Sequence, residues 1–281
     1  MIKILVCTDF STNSKAGIRF ALELSHQIAC ELIFCYIMEL MKPVSWSEEK
    51  YKHFIRHYEK KKSGELKFFV KRISKSSGIV LQNEHYLIGT GMEPTDAIMQ
   101  CAKTSHAHYI CMSTNGAGVY KKIIGTTASA LITNAKIPVF VVPHGYRHKP
   151  ISSLFFPIDL EDPGYELRTL NRLIKGLQIP LNLCHYDIHN NRKAAAQKME
   201  KLASSYDSDR LKFEVKSYHL QWSLMEHIRW DLRHLKPSLM VLFTRQNLNW
   251  FDRLFLSSKT AELSFDTRTP MLVYKKRVLN K

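Results

Sequence analysis

Short apolar runs alternate with amphipathic stretches along the whole chain. Residues 2–8 (IKILVCT) make a β-branched, apolar run of strand length. Ile18, Ala21, Leu22, Leu24, Ser25 and Ile28 then recur near a 3.6 spacing, which predicts a helix over about 13–29. A second apolar run, LIFCYIM, covers 32–38, and the basic stretch 42–75 reads as one long helix. A strand at 84–89 and a helix at 94–104 follow; Pro94 suits the first helical turn, where its missing N–H leaves nothing unpaired. HYICMS (108–113) is the next strand, then come a glycine-containing loop, a helix over about 126–135, and the strand PVFVVP.

The second half restates this order. SLFFPIDL (153–160) stands where KILVCTDF stood, with Asp159 echoing Asp9 at the strand end, and LNLCHYDI echoes LIFCYIME. A helix near 191–205, a strand at 211–218, a helix at 222–235, the run SLMVLFT, a loop, a helix from about 258 and PMLVYKK complete it. Agreement of element order over about 130 residues marks an internal repeat. Strands alternating with helices imply parallel sheets covered by crossover helices on both faces. The expected fold is therefore α/β, with two tandem, doubly wound, five-stranded parallel sheets in domains 1–147 and 148–281, joined through GYRHKPI.

Charge and cysteine content narrow the classes. The formal net charge is +16 and divides evenly, with 19 Lys and Arg against 11 Asp and Glu in residues 1–147 and 22 against 14 in the remainder. Positions 42–75 alone carry 11 basic and 4 acidic residues, which reads as a solvated surface or as a footprint for an anionic partner such as nucleic acid. No apolar run approaches the roughly 20 residues that span a bilayer, and MIKILVCTDF enters a strand directly without the pattern of a leader, so the expected compartment is the cytoplasm. The six cysteines are scattered without a CxxC pair, the pattern of buried, reduced thiols.

STNGAGVYKKIIGTT (113–127) joins a strand end to a helix start. In doubly wound sheets ligands bind beyond the carboxyl ends of strands, and a helix N-terminus offers unpaired N–H groups to an anion. Glycines let such amides close on phosphate oxygens, and Thr126 and Thr127 add hydroxyls. The same threonines cap a helix in an empty site, so the loop alone reads either as a phosphate cradle or as a turn.

The stretches ILVCTDFSTNSKAGIRFALELS, GTGMEPTDAIMQCAK and YICMSTNGAGVYKKIIGTTASALITNAKIPVFVVP resemble the universal stress protein family, and the repeat resembles its tandem form. The resemblance implies a stress-response regulatory protein that binds ATP or another adenine nucleotide, with Mg, in its first domain and turns it over little or not at all. Slow ATP hydrolysis or autophosphorylation occurs in parts of the family. Carried over, Asp9 holds the ribose or adenine side, Ile37 lines the base, and Ser113, Gly116, Gly118, Gly125, Thr126 and Thr127 surround the phosphates. Ser113 replaces the first motif glycine, eight residues separate Gly116 from Gly125 where the family has nine, and Cys7 replaces a usual proline. The resemblance also implies that the last strands of the two domains pair as an intrachain pseudo-dimer, with further homodimerisation and an unidentified protein partner.

The second domain departs further. Its loop, TRQNLNWFDRLFLSSKT, has no glycine and places Trp250, Phe251, Leu254 and Phe255 where phosphates would lie. Asp159 then reads as a turn or capping residue. His53 and His57 stand one helical turn apart but lack a third ligand, and no nucleophile–base pair or paired carboxylates share a loop. The expected activity is binding. A nucleotide-free scaffold and a basic surface for an anionic partner are the competing readings.

Overall fold

The computed structural model describes residues 1–114, 126–188, 190–204, 210–244 and 269–276. The chain divides into two compact units, Met1–His148 and Lys149–Lys281. In the first, β1 (Ile2–Cys7), α1 (Lys15–Gln27), β2 (Cys30–Met38), α2 (Glu48–Ser77), β3 (Glu84–Thr90), α3 (Pro94–Thr104), β4 (Tyr109–Ser113), α4 (Thr126–Asn134) and β5 (Val139–Val142) follow in order. Their strands run parallel in the order β3-β2-β1-β4-β5. The chain therefore proceeds to one side of β1 and then returns to the other, which puts a crevice beyond the carboxyl ends of β1 and β4.

The second unit holds β6 (Leu154–Pro157), α5 (Pro163–Leu177), β7 (Leu181–Asp187), α6 (Arg192–Ser204), β8 (Leu211–Ser217), α7 (Leu224–Leu235), β9 (Leu239–Thr244) and β10 (Met271–Lys275). Its strands are also parallel, ordered β8-β7-β6-β9-β10. The registers coincide: Ile4 faces Leu32 and Tyr109, and Leu154 faces Leu181 and Leu239. The two-fold repeat of α/β units is thus present strand by strand, and positions in one unit can be matched to positions in the other by register.

Each sheet carries a near-continuous apolar run because both of its faces are covered. Ile4, Leu5, Val6, Phe34 and Phe140 are fully buried in the first unit, as are Leu154, Phe155, Met240 and Met271 in the second. All six cysteines are buried and free. Helix α1 passes so close to β4 that a Cβ on Gly17 would lie 3.2 Å from the Met112 carbonyl carbon and the Ser113 nitrogen, so glycine sets this helix-to-sheet spacing.

The structure refines two boundaries and adds one helix. Helix α2 starts at Glu48, not near 42, because Ser47 accepts from the Lys50 N–H and caps it, while Pro43 lies in the preceding turn. Helix α7 starts after Ser223, whose hydroxyl and backbone form a capping box with Glu226. Helix α5 is absent from the elements read in the second half, although Asp162 caps it, Pro163 opens it, and Leu167, Leu170, Leu173 and Leu177 bury its inner stripe. The expected helix from about 258 lies outside the described residues.

Candidate functional site at the carboxyl edge

Both units end their first strand in the same tight turn. Asp9 Oδ1 accepts from the Ser11 N–H at 3.0 Å, and Asp159 Oδ1 accepts from the Glu161 N–H at 3.0 Å. The residue between takes a left-handed conformation, with φ of 63° at Phe10 and 62° at Leu160. A bulky residue there is strained and needs support from its surroundings. Since the strain occurs in both units, it belongs to the turn itself and is no mark of a ligand.

What surrounds the turn differs. In the first unit Asp9 is exposed. Phe10 packs on Tyr36 at 4.6 Å between ring centroids and meets Phe69 edge-on at 5.5 Å. The Lys62 ammonium lies 5.6 Å from the Phe10 ring, 5.8 Å from Tyr36 and 5.5 Å from Tyr58, and it pairs with Glu65 at 2.6 Å. This aromatic and cationic group, supplied by β2 and α2, borders the turn on one side.

Ser113 closes β4 on the neighbouring strand. It is buried, and its hydroxyl has no hydrogen-bond partner among the described residues. A buried, unpaired hydroxyl costs free energy, so its position at a strand end invites an added acceptor or donor. Ile37 lies on the other face of β2 from Tyr36, over Gly89, where an added Cβ would come within 2.6 Å of both the Ile37 Cδ1 and the Cys101 Sγ. Thr126 is the first residue of α4 and Thr127 the second. The elements thus bring Asp9, Ile37, Ser113 and the start of α4 to the carboxyl edge of one sheet. Gly116, Gly118 and Gly125 lie outside the described residues, as do Trp250, Phe251, Leu254 and Phe255.

In the second unit the protein supplies its own cation. Lys276, just past β10, is buried and binds the Asp159 carboxylate, with Glu161 at 3.0 Å and Glu166 at 3.7 Å. Burial, and then repulsion from Asp159, push the Glu166 carboxyl up to about 7, against the attraction of Lys276. By register and repeat, Lys276 stands where the first unit has the exposed His144, and Glu166 where it has the buried Ala16. Sequence reasoning missed this pairing. The one available signal was a lysine directly after an apolar strand where the first copy has histidine.

A second difference lies at the helix–sheet seam. Cys35, Ile37, Gly89 and Cys101 in the first unit match Cys184, Tyr186, Lys216 and Asp231 in the second. The first set is uncharged: Cys7 and Cys35 face each other in register, and Cys35 shares a hydrogen bond with Cys101 that, with burial, raises the Cys35 thiol. The second set is a buried ionic group in which the Tyr186 hydroxyl and the Lys216 ammonium both donate to Asp231, which is 1% exposed. Burial opposes the charge on Lys216, but its hydrogen bond to Asp231 leaves the ammonium held more firmly than usual.

The molecule is thus a tandem, doubly wound α/β protein whose polar side chains gather at the carboxyl strand ends. The sequence profile of the universal stress protein family matches residues 1–143, and the chain belongs to that family. It is 27% identical over 141 residues to a universal stress protein of Methanocaldococcus jannaschii, covering 50% of this chain and 81% of the relative. A universal stress protein from Archaeoglobus fulgidus shares the whole fold, with a TM-score of 0.71 at 16% identity over 97% of this chain and 98% of that one. The cytoplasmic domain of a prokaryotic cation chloride cotransporter also has this fold, with a TM-score of 0.51 at 9% identity over 97% and 94% of the two chains. The fold by itself therefore does not assign an activity. Among the described residues no helix is long and apolar enough to cross a membrane, and no group of three or more His, Cys, Asp or Glu is placed to hold a metal ion.

Proposed function

We propose that the protein is a nucleotide-responsive regulator that binds one adenine nucleotide, ATP with Mg, at the carboxyl edge of its first unit and acts by binding rather than by turnover. In this reading Asp9 accepts from the ribose or base, Ile37 lines the base, and the Ser113 hydroxyl contacts a phosphate. Gly116, Gly118, Gly125, Thr126 and Thr127 cradle the remaining phosphate oxygens at the start of α4. An anion there meets the positive end of the helix dipole. The observation that carries the reading is the Ser113 hydroxyl, buried at the end of β4 without a hydrogen-bond partner among the described residues, whereas in the second unit Lys276 already occupies the carboxyl edge and binds Asp159.

Titration calorimetry of the full chain with Mg-ATP tests this. Saturable heat is expected for the native protein and for Asp159→Asn, while Asp9→Ala weakens binding roughly tenfold to a hundredfold, the worth of a hydrogen bond to a charged group. Absence of heat with folded native protein, or equal loss in the two variants, overturns the proposal.

A further inference from the structure

Helix α2 is far longer than the sheet it covers requires. Its 30 residues extend roughly 45 Å at 1.5 Å per residue. Only Leu66, Val70, Ile73 and Ser74 are buried, all in its last half. The first half is fastened from the side by a ladder of rings, with Trp46 edge-on to Phe54 at 5.3 Å and Phe54 stacked on Tyr58 at 5.6 Å. Lys62 then ties this ladder to Tyr36 of β2.

Lysines run along one exposed side of the helix, beside the buried stripe, and two histidines extend the row toward the N-terminus. His53, His57, Lys60, Gly64, Lys67, Lys71 and Lys75 recur at intervals of three or four, so they form one ridge, and all are exposed. Arg56 and Lys61 flank it, also exposed, while Glu59 and Glu65 fall to the sides. Among the described residues none of the ridge lysines pairs with a carboxylate. A Cβ on Gly64 would meet nothing within 4 Å, so the middle of the ridge is open to close approach.

From Lys60 and its neighbours we infer that this ridge is a docking surface for the phosphate backbone of duplex DNA, without sequence preference. The lysines of the ridge, from residue 60 to 75, run about 22 Å in a straight row, enough to meet phosphates on both sides of a groove about 12 Å wide. A helix with side chains, about 10–12 Å across, matches the roughly 12 Å major groove. The deep, narrow major groove of RNA duplexes would not admit it. A membrane surface fits less well, because an interfacial helix turns an apolar face to the lipid. None of the ridge residues is a large apolar side chain; the exposed Phe68 lies beside the ridge, with the Arg72 guanidinium 5.8 Å from its ring, and the exposed Phe54 belongs to the ring ladder. Single strands call for several stacking aromatics, which the ridge lacks. This inference is independent of the nucleotide reading.

The test is fluorescence anisotropy of a labelled mixed-sequence 24-base-pair duplex against the full chain as salt is raised. With about five phosphates neutralised, log affinity should fall against log salt with a slope near −4.5. Replacing Lys60, Lys67 and Lys71 by Gln should flatten that slope by about 3 and weaken binding at least tenfold in ~50 mM salt. Replacing Lys193, Lys198 and Lys201 by Gln removes the same charge from exposed positions of α6 and should change affinity less than about threefold, since it removes no phosphate contact. Circular dichroism checks that both variants remain folded. No binding in ~50 mM salt, equal loss in the two variants, or binding to phosphatidylserine vesicles without binding to DNA would each overturn the inference.

Discussion

The two units share strand order, register and even a strained turn, yet they treat the same two places in opposite ways. At the carboxyl edge both strand-end acids are exposed, but Asp159 binds the buried Lys276, and the first unit has the exposed His144 at the position of that lysine. Between sheet and helix the first unit packs Cys35 and Cys101 around Gly89, and the second installs Lys216, Asp231 and Tyr186. A repeated fold thus keeps its strand order while a few polar substitutions change what lies at the carboxyl edge and at the helix–sheet seam.

The comparison breaks most visibly at Asp231. Removing one member of a buried ion pair leaves its partner uncompensated, which costs about 3–5 kcal/mol. Asp231→Ala should lower the stability of the second unit by up to that amount, since the Tyr186 hydroxyl loses its acceptor and Lys216 is left with the exposed Glu214 at 3.5 Å. Denaturant unfolding followed by tryptophan fluorescence measures it. A change below about 1 kcal/mol would mean that the network is not held as described.

Glu166 gives a smaller effect with a definite sign. Its carboxyl is raised from the usual 4.5 to about 7 in the folded protein, so the folded state binds that proton more tightly than the unfolded chain does. The contribution is complete below about pH 4.5 and is lost as pH rises through about 7, a change of about 3 kcal/mol. Glu166→Gln removes this dependence. The variant should therefore gain stability over the native chain as pH rises from 5 to 8, read as a growing difference in unfolding midpoint. A constant difference across that range would contradict the assignment.

The alternation of strand-like runs with amphipathic stretches carried most of the fold, because sheets covered on both faces leave continuous apolar signatures such as ILVC and VFVV. Helix α5 escaped that reading although Leu167, Leu170, Leu173 and Leu177 form a regular buried stripe. At the carboxyl edge, Asp9 and Ser113 were named through the family resemblance, and the structure sets Asp9 in the turn after β1 and Ser113 at the end of β4. The roles of Lys276 and Asp231 were not. A lysine after a strand ordinarily points to water, and Lys276 finds its acid 117 positions earlier in the chain. Such a partner becomes visible only when the sheet brings β10 and β6 to the same edge. The basic character of α2 was visible as composition, while the alignment of its lysines in one exposed row required the helix to be placed.

The number of nucleotides held per chain tests the central claim most directly. Equilibrium dialysis of the full chain across a range of Mg-ATP should give one bound nucleotide per chain at saturation, with the half-saturation point raised roughly tenfold to a hundredfold by Asp9→Ala and unmoved by Asp159→Asn. Two nucleotides per chain, or a half-saturation point that Asp9→Ala leaves unmoved, would contradict the account.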